Sequence, residues 1–94
     1  MLPPTSPDIL TDDARPYFLW WDTLTVAQFR LKLASDDPVE RAYYLGALLR
    51  EANTRDVWPF VTPSDIRVLW PSLRRHLGKR RAMWAFLLDL PEGP

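Results

Sequence analysis

Ninety-four residues with twelve acids, twelve bases and no cysteine make a single domain large enough for one hydrophobic core. They exclude a disulfide framework and thiolate chemistry. The opening Met-Leu-Pro-Pro-Thr-Ser-Pro lacks the basic and apolar regions of a signal peptide, and no apolar run approaches the roughly 20 residues of a membrane span. A cytoplasmic protein without membrane association is expected.

The net charge is zero, but unevenly spread. Residues 1–40 carry Asp8, Asp12, Asp13, Asp22, Asp36, Asp37 and Glu40 against Arg15, Arg30 and Lys32, and the bases dominate the remainder. Such asymmetry suits either a polar partner surface or internal complementarity between the two ends of the fold.

Residues 1–15, rich in Pro, Asp and Thr, lack helical periodicity and are expected to be a flexible N-terminal tail. Residues 16–90 then form one helical domain, and 91–94 a C-terminal tail. The domain opens abruptly on Pro16-Tyr17-Phe18-Leu19-Trp20-Trp21. Aromatics this dense suit an exposed partner anchor. Leaving that much apolar area wet is rare, so an extended arm laid over the helical core is the favoured reading.

Four main helices follow. The first spans 25–34, with Thr25 as cap, Gln28 completing a capping box, and Leu24 and Phe29 placed for a hydrophobic staple. The second spans 37–53 and is the centre of the chain. Asp37 caps it, Pro38 takes the first helical position, and Glu40 stands where a capping box needs an acid. Its apolar residues sweep most of the helical wheel, with Glu40, Ala47 and Glu51 as the solvent strip, so neighbours should cover it on two or three sides. Gly46 costs a helix interior roughly 1 kcal/mol relative to Ala, which points to a close neighbour at that position.

The third helix, 63–77, restarts at Thr62-Pro63-Ser64-Asp65 with Val61 and Ile66 as a second staple. Its apolar stripe (Ile66, Leu69, Trp70, Leu73, Leu77) runs through Pro71, which predicts a kink there. Gly78 is the expected left-handed stop. The fourth helix, 79–89, should turn Met83, Phe86, Leu87 and Leu90 inward, with Trp84 and Leu88 on an adjacent strip. The sum is an all-α compact bundle with an aromatic N-terminal arm. Asp37-Pro38, Arg41-Ala42 and Leu45 resemble the second helix of a HEAT-type repeat, giving a HEAT-like helix pair but no solenoid.

No catalytic machinery is apparent, and no enzyme is expected. His76 alone, without cysteine, makes a metal site improbable. Ser72 stands one turn before His76 but has no third partner. Helix capping accounts for Asp36, Asp37 and Glu40, and there is no phosphate loop. No cofactor is expected. The basic run Arg74-Arg75-His76-Leu77-Gly78-Lys79-Arg80-Arg81 remains unexplained: its second half lies at the positive end of the last helix, where cations are mildly unfavourable. A solvated helix junction and a patch for an acidic partner are the two readings.

Pro16 to Asp22, Arg41 to Ala52, Asp56-Val57-Trp58 and Leu77 to Arg81 together resemble a family of small bacterial proteins of uncharacterised function, often encoded beside nucleotidyltransferases of the AbiEii toxin type. The resemblance covers about residues 15–90. It implies an antitoxin-like or accessory protein that binds the transferase, and carries over no site residues. The expected function is therefore a non-catalytic protein-interaction module, with Arg74, Arg75, Lys79, Arg80, Arg81, Tyr17, Trp20, Trp21 and Trp58 as candidate contacts. The alternatives are a small nucleic-acid-binding regulator using the basic junction 74–81 and a structural subunit of a larger assembly.

Overall fold

A computed structural model describes residues 4–91; the outer ends of both expected tails, 1–3 and 92–94, lie outside the described residues. Four α-helices carry the fold: α1 (Val26–Leu33), α2 (Pro38–Glu51), α3 (Pro63–Leu73) and α4 (Arg81–Leu88). Short 3-10 turns join or flank them, and no strand occurs among the described residues.

The α1 start is fully satisfied. Thr25 and Gln28 form the reciprocal capping box. The first two amides of α1, Val26 and Ala27, donate to the carbonyls of Ala14 and Asp12 at 2.8 and 3.0 Å. Residues 4–15 are thus no loose tail: they supply two acceptors that the helix end lacks internally. Ile9 is buried in the core from a 3-10 turn, Pro7–Leu10, capped by Ser6. Ser6-Pro7 is itself a cap-plus-proline start signal, hidden in a segment whose composition suggests disorder.

α1 and α2 pack as an antiparallel hairpin, since Lys32 meets Glu40 at 3.6 Å and Phe29 meets Tyr44 edge-on. Asp37 caps α2 by accepting from the Val39 amide at 2.9 Å. Glu40 does not complete the expected capping box; its carboxylate reaches across the hairpin to Lys32 instead. α2 also touches α3, the 3-10 turn Tyr17–Leu19, and both turns of the basic junction. Leu45, Leu48 and Leu49 are buried within that ring, while Val39 and Tyr43, expected inside, are exposed.

α3 opens on the Thr62/Asp65 capping box and stays α-helical through Pro71, then tightens into a 3-10 turn at Arg74–His76. Pro71 lies on the solvent side, which leaves the unpaired carbonyl one turn back to water rather than to the core. Gly78 adopts φ +54° as expected, ending the run.

α4 departs from expectation in its phase. Trp84 and Ala85 are its buried residues, whereas Phe86 is 86% exposed and Leu87 50%. The Trp84 indole N–H donates to the Leu49 carbonyl at 2.9 Å inside the core. Fixing that bond turns Phe86, two positions or about 200° further round the helix, to the outside. The helix ends in a Schellman arrangement, with Asp89 left-handed and the Leu90 amide donating to Ala85 at 2.8 Å. Pro91, the described part of the C-terminal tail, accepts the Trp70 indole N–H at 2.6 Å.

Gly46 does admit a close neighbour. A Cβ there would stand 2.6 Å from the His76 Cβ and 3.3 Å from its Cγ, the rigid root of that side chain. Gly46→Ala should therefore destabilise the fold by about 1–3 kcal/mol despite better helix propensity, read as a lower urea midpoint. Removing the opposing Cβ with His76→Gly should make the same substitution neutral or favourable.

Candidate functional site

Ala47, expected on the solvent strip of α2, is fully buried. The arm bonds to its neighbours on that face. The Trp21 indole N–H donates to the Tyr43 hydroxyl at 3.2 Å, and the Arg50 guanidinium lies over the Trp21 ring at 5.5 Å. The Trp20 indole reaches Glu51 at 3.4 Å and meets Trp21 edge-on at 5.2 Å. Ala47 lies one turn from Tyr43 and one turn from Glu51, on the face to which the two indoles bond.

The arm is held at both ends. Arg15 donates to the Asp22 carbonyl at 2.8 Å, and Phe18 and Leu19 are buried beneath. It is laid over the core with two aromatics partly left out: Trp20 is 72% exposed and Tyr17 44%. From Trp20 a continuous strip crosses α2 to the basic junction. Arg50 donates to the His76 carbonyl at 2.9 Å and pairs with Glu51 at 2.7 Å. The Tyr43 ring stands edge-on to His76 at 6.3 Å. The Arg50 guanidinium, then the Trp20 indole, holds the Glu51 carboxyl below its ordinary range against the effect of burial. Burial first, then Arg75 and Arg50, pushes the His76 pKa down.

The remaining candidates divide by what they already hold. Arg75 and Lys79 are exposed and Arg74 half-buried. Arg80 donates to the carbonyls of Leu49 (3.4 Å) and Ala52 at the end of α2. A cation unfavourable for α4 thus serves the negative end of the helix beside it. Arg81 is half-buried with its Nε buried and lacking a hydrogen-bond partner. Trp58 packs edge-on against Trp84 at 5.7 Å.

Tyr17 belongs to an internal network. Its hydroxyl accepts from the Asn53 amide at 2.8 Å and donates to Asp56, the buried acid of the core, which also accepts the Thr5 amide at 2.7 Å and the Thr5 hydroxyl. Burial works to raise the Asp56 pKa, but the Thr5 and Tyr17 bonds and the Arg55 charge outweigh it and hold the carboxyl below 3.8. Spacing could not disclose this bond, since its partner Thr5 is 51 residues away. Tyr43 and Arg50 were missed by the sequence reading, although their seven-residue spacing places them on one helical face.

A groove of about 390 Å³ lies between α1, α2 and α3 over Leu33, Leu45, Phe60 and Leu69. Its rim arginines are engaged locally, Arg30 with the Pro59 carbonyl at 3.3 Å and Arg41 with Ser35 at 2.8 Å. Among the described residues no group of three acids or histidines could hold a metal ion, and no helix is long and apolar enough to cross a membrane. No family model, curated protein or solved structure matches this chain.

Asp56 supports a stability prediction with a defined pH sense. Its folded pKa is depressed, so its contribution is complete above the unfolded value near 3.8 and is lost as pH falls through the lower folded value. Asp56→Ala should cost about 1.5–3 kcal/mol at neutral pH, the range for hydrogen bonds to a charged group. The difference from wild type should shrink once both are measured in acid below that folded value.

Proposed function

We propose that this chain is a non-catalytic protein-interaction module whose contact surface is the Trp20–Trp21–Tyr43–Arg50–His76 strip continued by Arg74 and Arg75. The observation that carries the reading is Trp20. It is the most exposed aromatic of the arm, yet its neighbours Trp21, Arg50 and Glu51 are already fixed by one another. A rigid indole beside arginines is the composition of an interface hot spot, which loses little side-chain entropy on binding. The partner would offer an acidic rim and an apolar recess for the indole. The family resemblance supplies a specific candidate, an adjacent-encoded nucleotidyltransferase of the AbiEii type, towards which this chain would act as an antitoxin or accessory subunit.

A nucleic-acid regulator is the weaker reading. It needs the five cations Arg74, Arg75, Lys79, Arg80 and Arg81 to face one phosphate track, and Arg80 is turned inward onto α2.

Co-expression with the protein encoded by the adjacent gene should give a complex that survives gel filtration. Trp20→Ala and Arg75→Glu should each weaken it by about tenfold or more, with the urea midpoint of the free protein little changed because neither residue is buried. Two proteins that elute separately would overturn the proposal. So would steeply salt-dependent binding to nucleic acid that is lost when the cations become alanine.

A further inference from the structure

We propose that the outer face of α4 is a self-complementary interface through which two copies of this chain pair antiparallel. Ala82 and Phe86 stand one turn apart on α4, with Lys79 in the 3-10 turn just before the helix and Asp89 as its left-handed C-terminal cap. All four are exposed. Ala82, Phe86 and Asp89 line one shallow depression together with Ala85 and Leu90, which places them on a common side. This face is separate from the Trp20 strip and owes nothing to the reading above.

The pattern specifies its own occupant. In an antiparallel pair centred on position 84, Lys79 stands opposite Asp89 of the partner subunit, and Ala82 stands opposite Phe86 of the partner subunit. Symmetry repeats both pairs. Each large ring therefore meets a small residue, and each cation meets an anion, as a two-fold interface requires of a single surface. A parallel pairing would set Lys79 against Lys79 of the partner subunit. It would also set the two Phe86 rings against each other over a poorly filled seam.

Among the described residues neither charge has an ion-pair partner. The ion pairs found among the described residues are Lys32 with Glu40 and Arg50 with Glu51. Phe86 is held outside by the Trp84–Leu49 bond, so folding alone does not relieve its exposure. A helix of eight residues buries less than the roughly 1,200 Å² of a standard stable interface. The expected dimer accordingly dissociates in the micromolar-to-millimolar range.

Sedimentation equilibrium over that range tests the pairing. Wild type should approach twice its 11.0 kDa mass as concentration rises, and Phe86→Ser should abolish the association while Trp20→Ala leaves it intact. Lys79→Asp and Asp89→Lys should each weaken the dimer by about tenfold or more, because each sets like charges opposite one another. The double reversal should restore wild-type affinity. Circular dichroism of the Phe86, Lys79 and Trp20 variants should match wild type, and Asp89→Lys, which sits at the left-handed end of α4, should keep its helix content with a lower urea midpoint. A wild-type chain that stays monomeric at millimolar concentration would overturn the proposal, as would a Phe86→Ser variant that dimerises like wild type. A double reversal no tighter than the single ones would overturn the register.

Discussion

The carbonyls of Leu49 and Ala52 at the end of α2 are beyond the reach of further helical amides, and they are met instead from α4 and the turn before it: the Trp84 indole N–H on Leu49, the Arg80 guanidinium on both. A helix end buried without partners is costly. Here the partners come from about thirty residues further on, so closing the end of α2 also docks the last helix. The phase of α4 follows from that bond, and so does the exposure of Phe86. Arg50, in the last turn of α2, makes the complementary contact outward to the His76 carbonyl, while Gly46 leaves room for the root of the His76 side chain one turn earlier.

The same rod organises the surface. α2 buries one side against α1 and α3 and lends its remaining side to the aromatic arm. Because Tyr43, Arg50 and Glu51 project from a rigid helix, the indoles that lean on them are fixed too. Trp20 is presented on a stiff platform, and the basic turn Arg74–His76 is tied to that platform through Arg50. Apolar and cationic features far apart in sequence thereby become one strip.

Much of the architecture was legible where local chemistry decides it. Caps at Thr25, Asp37 and Thr62, the left-handed Gly78 and the close approach at Gly46 all follow from a residue and its near neighbours. What sequence periodicity could not show was set by distant groups. The inward turn of Trp84 depends on a carbonyl 35 residues away. Ala47 is buried on the face to which a separate arm bonds, and an alanine carries no hydrophobic signal strong enough to announce the fact. The N-terminal segment reads as disordered by composition, yet its carbonyls at Asp12 and Ala14 complete α1 and its Thr5 satisfies Asp56. Of the site, Trp20 and Arg75 were visible as unusual residues, whereas the roles of Tyr17, Trp58 and Arg80 in holding the fold required their partners to be seen.

The most direct measurement of the helix-end closure is urea unfolding of Arg80→Met beside Arg75→Met, two arginines five residues apart in the same basic run. Losing the cation that serves the α2 carbonyls should lower stability by about 1.5–3 kcal/mol, while the exposed Arg75 should change it by no more than about 0.5 kcal/mol. Equal effects from the two substitutions, or a neutral Arg80→Met, would contradict the claim that the basic junction is built to finish the central helix.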